Sequence, residues 1–393
     1  MQIKTKTITG IVWIILLLTA NAFSQDDKIS LNGYIKSMQT VYAPEKNTML
    51  QQDIFSDNLI HNRLNFRYYA TPGLTVALEA RNRFMYGEIV RLFPDYGEML
   101  DEDPGFLDLS KTVASGNGYA LHTMIDRFYA EYVKGDFQAR IGRQRINWGI
   151  NMVWNPNDIF NTFNYFDFDY EERPGTDAVK LQYYTGVASS AQLVYRPGDS
   201  LQASALAGMY KLNKWGYDFQ ILGGYINEDL VVGGGWSGNI GNAGFRGEAT
   251  YFRDNENFAD TTGQLVASIS ADYMFRSSFY LHAGLLYNSK GTTEDASRGG
   301  LLLQNQDLSV KTLTPAKTSL FAQASYPVTP LFNADVSLIA NPHDKSYFVS
   351  PTVTYSLSQN VAAMITGQLF SGDAGTEFGN IGQLYFLRIK WSF

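Results

Sequence analysis

Apolar and polar residues alternate one by one along most of this chain, which is the two-residue period of a β-strand. In the closing segment every second residue from Tyr385 to Phe393 is apolar, whereas Arg388, Lys390 and Ser392 lie between them. Further segments alternate in a similar way, so the pattern predicts an all-β chain of about 18 strands. The predicted strands are 29–41, 59–70, 74–86, 122–133, 137–146, 177–185, 188–196, 200–210, 216–226, 229–238, 243–253, 264–275, 278–288, 317–326, 331–341, 346–357, 361–371 and 381–393.

The connections between these segments are of two kinds that follow one another in turn. Short ones such as Thr71-Pro-Gly73 and Lys134-Gly-Asp136 alternate with long ones such as 87–121 and 147–176. Short turns at one end and long loops at the other are typical of an antiparallel transmembrane β-barrel, in which an even strand number brings both termini to one side. Arg196-Pro-Gly-Asp199 is predicted as a further short turn, and losing a hairpin near it would leave about 16 strands.

The first residues predict an export signal. A basic start with Lys4 and Lys6 precedes the apolar run Ile11–Leu18, and small residues follow it. The run is too short to span a bilayer, so residues 1–24 are predicted to be a cleaved signal peptide, with a signal anchor as the alternative. No cysteine lies near the predicted cleavage site, which excludes a lipoprotein. We therefore expect a single exported domain, 25–393.

Composition changes the picture in two ways. The chain has no cysteine, so disulfides and thiolate metal sites are excluded. It is also rather polar for a membrane protein and has no second long apolar run, which a barrel explains because only every second strand residue faces lipid. A soluble β-sandwich or propeller would share the glycine and aromatic content. The export signal and the apolar closing strand together favour the barrel.

The parity of each strand separates the side chains that would face the lumen of such a barrel. On four strands the polar set is mostly basic, and closure of the barrel brings the last strand beside the first. A positive surface in a confined lumen would attract small anionic or polar solutes, although the whole chain carries a net charge of −7. The alternative is that these cations only pair with nearby acids to fill the interior. We call this set the basic wall: Arg63, Arg67, Glu79, Arg81, Arg83, Arg127, Glu131, Arg140, Arg388 and Lys390.

Acidic residues collect in the long loops. Asp101, Glu102 and Asp103 lie together in loop 87–121, and neighbouring carboxylates are the ligands that Ca²⁺ prefers. Their spacing lacks the glycine of a known Ca²⁺ loop. A solvated acidic loop is therefore the favoured interpretation, with a structural Ca²⁺ ion as the alternative and no other cofactor.

Loop 147–176 is the most unusual stretch, because it is long, aromatic and acidic. Loops of more than about 15 residues in a compact fold are usually functional. We expect this one to fold into the barrel as a constriction, with rings and carboxylates opposite the basic wall; the alternative is packing over the barrel mouth. Rings beside carboxylates also suit sugars. The residues singled out are Trp148, Trp154, Asp158, Phe163, Tyr165, Phe166, Asp167, Asp169 and Tyr170.

Around this loop, over residues 141–184, the chain resembles outer-membrane porins of the DUF1302-like and alginate-export kind. The closing strand with its terminal Phe393 also resembles the last strand of bacterial outer-membrane barrels. The resemblance implies a barrel channel in the outer membrane of a Gram-negative bacterium, in contact with lipid and lipopolysaccharide and either monomeric or oligomeric. The motifs that carry it are Gly142-Arg143-Gln144, Asn147-Trp148-Gly149, Asn155-Pro156-x-Asp158 and Arg173-x-Gly175.

Signals for catalysis are weak, and we expect no enzyme. Gly198-Asp-Ser-Leu201 has the letters of an esterase motif, but it lies in a predicted turn and lacks the partner residues that such a motif needs. Ser268 or Ser270 and His282 lie on neighbouring predicted strands, which leaves a membrane hydrolase as a minor alternative. No phosphate-binding loop or nucleic-acid motif occurs.

Two hypotheses of different classes follow. The first is an outer-membrane porin for small polar or anionic solutes, saccharides among them, with loop 147–176 as the constriction. The second is a non-conducting barrel, plugged by its loops, that serves as a subunit of an outer-membrane protein complex. They differ in whether the lumen is open, which the sequence alone does not decide.

Overall fold

The computed structural model describes residues 28–45, 54–103, 105–259, 262–297 and 308–393. The predicted signal peptide therefore lies outside the described residues. The strands are β1 (Ile29–Ala43), β2 (Phe55–Thr71), β3 (Leu74–Gly87), β4 (Ser110–Gly116), β5 (Tyr119–Lys134), β6 (Phe137–Gln144), β7 (Thr176–Gly186), β8 (Ser189–Arg196), β9 (Ala205–Lys214), β10 (Tyr217–Ile226), β11 (Asp229–Ile240), β12 (Ala243–Asp254), β13 (Gln264–Met274), β14 (Tyr280–Asn288), β15 (Thr318–Thr329), β16 (Phe332–Ala340), β17 (Tyr347–Ser358), β18 (Val361–Ser371) and β19 (Gln383–Ser392).

All strands but β4 pair antiparallel with both neighbours and close into one barrel. Closure occurs between β1 and β19, whose register runs from Tyr34 opposite Ser392 to Ala43 opposite Gln383. The short strand β4 instead pairs with the first residues of β5, beyond the point where β6 ends. Within the described residues the barrel therefore has 18 strands, as the sequence predicts.

The two faces of the wall differ as the alternation predicts. The outer face is an apolar belt whose side chains stay exposed, among them Ile221, Ile269, Ile365 and Leu387. Asn82 is an exception on this face: its amide donates to Asn62 Oδ1 over 3.2 Å, and Thr123 donates to it over 2.8 Å. These polar groups satisfy one another, so they need no water at that position.

The short turns and the long connections lie at opposite ends of the barrel. Between β3 and β4 the long connection forms two short helices, α1 (Glu88–Leu92) and α2 (Tyr96–Leu100). None of the described helices is long and apolar enough to cross a membrane.

One predicted turn is wrong. The sequence placed a strand at 200–210 directly after the short turn Arg196-Pro-Gly-Asp199, but β9 begins at Ala205. Ser204 donates its backbone N–H to Ser200 O over 3.1 Å, and its hydroxyl accepts from Gly198 N–H over 3.1 Å. These local bonds keep 197–204 as a loop, because serine side chains compete with strand pairing for backbone groups.

A β-bulge in β5 changes which side chains face inward. Glu79 is opposite Arg127 and Ala80 is opposite Ile125, so Asp126 is an extra residue. In β5, even-numbered residues face the lumen before the bulge, and odd-numbered residues face it after the bulge. As a result Asp126 and Arg127, although adjacent, are both buried inside the barrel, at 1% and 6% exposure.

Candidate functional site

The connection between β6 and β7, residues 145–175, folds into the lumen; we call it the inner loop. We call the point where Ile146, Asn161 and Thr176 meet the neck of the loop. There Asn161 accepts from Ile146 N–H over 2.8 Å and donates to Thr176 Oγ1 over 2.9 Å. Asp158 accepts from Trp148 N–H over 3.2 Å. Side chains thus replace the strand partners that the backbone lacks here, which allows an irregular segment to be buried.

The first half of the inner loop binds the wall formed by β8 to β13. Trp148 is almost fully buried, and its indole N–H donates to Gln192 over 2.8 Å. Gln220 donates to the Trp148 carbonyl over 2.6 Å. The Ile150 N–H donates to Glu248 over 2.6 Å. Three separate strands therefore hold this half by hydrogen bonds to its backbone and indole.

The same half occupies the serines that a hydrolase would need. Ser268 donates to the Trp154 carbonyl over 2.9 Å, and Ser270 donates to Asn151 Oδ1 over 2.6 Å. His282 packs its ring against Phe321 at 5.1 Å. Since neither serine bonds to this histidine, the structure assembles no nucleophile and base from them.

Aromatic side chains fix the middle of the inner loop. Phe166 packs against Phe348 of β17, Phe370 of β18 and Phe378 of the β18–β19 connection, with ring centres 4.9 to 6.1 Å apart. Its backbone carbonyl accepts from Gln368 over 2.7 Å. Tyr165 and Trp154 both pack on Phe321, at 5.5 and 6.1 Å. These rings are half-buried or buried against the wall.

The carboxylates of the second half bind the basic wall directly. Asp169 forms ion pairs with Lys36 at 2.8 Å and with Arg388 at 3.2 Å. Glu171 pairs with Arg388 at 3.1 Å and with Lys390 at 2.6 Å. Burial raises the pKa of Glu171, but Lys390 and Arg388 more than offset this and hold it below its usual range. The acids therefore lie against the cations, whereas the sequence placed them opposite the basic wall.

Arg63 is the centre of the buried ion-pair network. Its guanidinium bonds to Glu79 over 2.8 Å, to Asp126, and lies 3.6 Å from Glu172. Its side chain is fully buried. A charge in this position requires such partners, because desolvation of an unpaired guanidinium would cost several kcal/mol.

Tyr170 connects the inner loop to this network. Its hydroxyl donates to Asp126 over 2.7 Å, and its ring lies 4.0 Å below the Arg81 guanidinium. Burial, followed by the nearby Asp126 carboxylate, raises the pKa of Tyr170 although Arg81 opposes the shift. The phenol is neutral and acts as a donor.

The remaining wall residues also have partners. Arg127 donates to the backbone carbonyls of Glu172 and Arg173. Arg140 binds Glu131, and Arg83 bonds to His122 over 3.1 Å. Arg67, at 3.5 Å from Glu79, is the most exposed guanidinium of the set, with 46% of its side chain accessible.

Two of the three residues considered for Ca²⁺ bind other groups of the protein. Asp103 accepts from Arg143 over 2.6 Å and from the N–H groups of Gly105 and Leu109 over 2.9 and 2.8 Å. Asp101 accepts from Thr112 N–H over 2.7 Å. Glu102 is exposed. Among the described residues no group of three potential ligands is placed to hold a metal ion.

Asp158 and Phe163 of the inner loop differ in burial. Asp158 is 1% exposed, and one of its carboxylate oxygens has no hydrogen-bond partner among the described residues. Burial raises its pKa to about 7. Phe163 is half-buried and lies 3.3 Å from the Arg173 guanidinium, which stacks on its ring.

A cavity of about 550 Å³ lies between the second half of the inner loop and the wall of β15 to β19; we call it the loop cavity. The loop contributes mainly rings, together with Asp167, Glu171 and Arg173. The wall contributes mainly hydroxyl and amide groups, together with Asp335 and Arg388. Asp167 is exposed toward the lumen.

Several residues of this arrangement were missed from the sequence. Asp126 was missed because the bulge breaks the parity on which the prediction rested. Lys36 lies on the predicted strand 29–41 with inward parity, so its position gave a usable signal. Gln192, Gln220 and Glu248 gave no signal, because only the path of the inner loop makes them contacts.

The sequence matches no known protein-family model and no curated protein. Solved structures do match. Acinetobacter baumannii OccAB2 is 9% identical, with a TM-score of 0.60 over 93% of this chain and 98% of that one. Acinetobacter baumannii OccAB3 is 8% identical, with a TM-score of 0.58 over 94% and 100%.

A BenF-like porin from Pseudomonas fluorescens Pf-5 is 10% identical, with a TM-score of 0.58 over 93% of this chain and 98% of that one. The fold is a porin-type β-barrel. At such low identities these similarities concern the fold alone. They do not support the resemblance to DUF1302-like and alginate-export porins that the short motifs around residues 141–184 suggest.

Proposed function

We propose that this protein is a channel of the bacterial outer membrane for small polar or anionic solutes, with the inner loop as its constriction. The proposal rests on one observation above all: a closed barrel has an apolar belt outside, a polar wall inside, and a loop held within its lumen beside a cavity. Only a closed barrel leaves no unpaired strand edge in lipid. The predicted signal peptide agrees with this location.

The residues of the basic wall and the inner loop have distinct roles in this proposal. The ion pairs of Lys36, Arg388 and Lys390 with Asp169 and Glu171 set the position of the loop, and hence the width of the passage. Arg83, which has no carboxylate within salt-bridge distance among the described residues, and the exposed Arg67 attract anions.

The experiment is single-channel recording of the refolded protein in planar bilayers. The wild type should give stable conductance steps. The double variant Asp169→Asn with Glu171→Gln removes the charges that hold the second half of the inner loop, so its conductance should rise several-fold with more frequent fluctuations. The matched control is Asp101→Asn, which breaks only the exposed pair with Lys111.

Two results would contradict the proposal. A folded barrel that never conducts would favour the plugged subunit of a protein complex. Unchanged conductance in the double variant would show that the inner loop is not the constriction.

Whether the barrel acts alone or as a homo-oligomer follows from its size in detergent, measured by light scattering.

A further inference from the structure

The loop cavity presents two kinds of surface that face each other. On the wall, Ser337, Ser350, Thr352 and Thr366 bring hydroxyl groups together from β16, β17 and β18. On the inner loop, Phe163, Tyr165, Phe168 and Tyr170 are half-buried rings that line the same space. The cavity therefore combines hydroxyl groups with half-buried aromatic rings.

The hydroxyl groups are positioned by the strand pairing. Ser337 lies opposite Ser350 and Asp335 lies opposite Thr352, so the polar positions of β16 and β17 share two adjacent rows. Thr352 and Thr366 exchange a hydrogen bond over 2.6 Å across β17 and β18. In this bond one hydroxyl donates and the other accepts, and each keeps a lone pair for a solute. Ser337 and Ser350 add further hydroxyl groups, so the surface offers both donors and acceptors.

In the loop cavity the cations already have partners, whereas the carboxylates can still accept hydrogen bonds. Arg388 is held by Asp169 and Glu171, and Arg173 stacks on Phe163. Asp167 has no hydrogen bond or ion pair to its carboxylate among the described residues and is exposed to the lumen. Among the described residues, the Asp335 carboxylate accepts only from the side-chain amide of Asn333, over 2.5 Å.

This division disfavours a carboxylate solute at this position. Such a solute would have to displace Asp169 or Glu171 from Arg388 while lying near two carboxylates of its own charge. A polyhydroxylated neutral solute meets no such conflict. Its hydroxyl hydrogens can be accepted by Asp167 and Asp335, its oxygens can accept from the serine and threonine hydroxyls, and its C–H faces can pack on the rings.

We propose that the loop cavity is a binding site for neutral sugars of one or two rings. Its volume of about 550 Å³ falls within the ~300–1,000 Å³ typical of small-molecule sites. The inference rests on the channel function proposed above and narrows the solutes that the constriction selects. Asp335 and Thr352 are the wall residues that bind the sugar, and Asp167 closes the site from the loop side.

The test is occlusion of the open channel by maltose, with gluconate as a polar anion for comparison. Maltose added to a constant KCl solution should lower the conductance in a saturable way, and gluconate at the same concentration should not. In Asp335→Asn and in Thr352→Val, the maltose concentration that gives half the effect should rise about tenfold, because a lost hydrogen bond to a polar site is worth about 1–3 kcal/mol. Thr354→Val, on the same strand and face but outside the cavity lining, is the control and should behave as wild type.

The outcomes separate the two proposals. A barrel without conductance steps overturns the channel function itself. Steps that maltose does not reduce, or that gluconate reduces as strongly, overturn the sugar site and leave the channel standing. Half-effect concentrations that stay unchanged in both variants also overturn the site. Thr352→Val should fold like the wild type, because it removes a single hydroxyl and preserves the β-branched shape.

Discussion

At the scale of single residues, Asp126 decides how a basic wall can be buried. It binds Arg63, lies 3.8 Å from Arg81 and accepts from Tyr170. One carboxylate thus compensates two guanidinium groups and anchors the inner loop. The basic wall is therefore largely neutralised by its own partners, as the interior-filling alternative supposed. This leaves its attraction for anions to Arg83, which has no carboxylate within salt-bridge distance among the described residues, and to the exposed Arg67.

We expect Asp126→Asn to destabilise the barrel strongly. Removing one partner from a buried ion pair costs about 3–5 kcal/mol, because the other charge stays buried without compensation. Asp218→Asn is the matched control, since the pair of Lys211 and Asp218 is about two-fifths exposed and such pairs are worth about 0–1 kcal/mol. Urea unfolding in detergent measures both, and similar midpoints for the two variants would contradict the role given to Asp126.

At the scale of elements, the bulge in β5 and the inner loop depend on each other. The bulge turns Asp126 inward, and the loop brings Tyr170 to it. Gly142, on the neighbouring strand, has a φ of 115° and no room for a Cβ, which would lie 2.2 Å from the Phe128 carbonyl oxygen. The glycine of the motif Gly142-Arg143-Gln144 is therefore required by the backbone beside the bulge.

We expect the Asp158 side chain to stabilise the neck of the inner loop less as the pH rises. Burial raises the pKa of Asp158 to about 7, against about 4 in an unfolded chain. Between these values the unfolded chain releases a proton that the folded protein retains, so the contribution of Asp158 to stability is full below about pH 4 and is lost as the pH rises toward 7. Arg145, Arg173 and Glu248 are the charged groups that face it.

Hydrogen exchange of the Trp148 and Ile146 amides at pH 5 and pH 8 measures this, after correction for the intrinsic rate. Protection should be lower at pH 8 in the wild type and equal at both values in Asp158→Asn, whose amide oxygen still accepts from Trp148. Asp136→Asn, in an exposed turn, should behave as wild type. Equal protection at both values in the wild type would show that the buried carboxyl does not titrate in this range.

At the scale of the whole molecule, the same strands form both the outer belt and the wall of the lumen. Each strand supplies both faces, so the apolar belt and the polar interior arise from the same alternation. The inner loop contacts strands from β1 to β19, and it links opposite sides of the barrel that the sheet alone leaves apart.

We expect the apolar belt to tolerate a charged residue according to its depth in the bilayer. Ile365 is 57% exposed near the middle of β18, so Ile365→Arg should make folding into vesicles less favourable by about 2–4 kcal/mol. Leu357→Arg, on the same face but beside a short turn and 55% exposed, should cost about 0–1 kcal/mol. Equal costs would contradict burial of this face in a bilayer.

The sequence by itself determined the class of fold, the strand number, the side of most strands that faces outward, and the position of most long loops. These follow from a local period of two, which a chain carries wherever one face is apolar. It also placed most wall residues on the correct face, including the closing pair Arg388 and Lys390.

The tertiary structure decided what those residues do. Parity cannot foresee an inserted residue, so Asp126 and the phase change in β5 became visible only in the paired strands. Nor can it foresee the path of a loop whose partners are far away in the chain, such as Glu248 for Ile150 or Lys36 for Asp169. Contacts of this kind are set by closure of the barrel, which brings distant strands around one lumen.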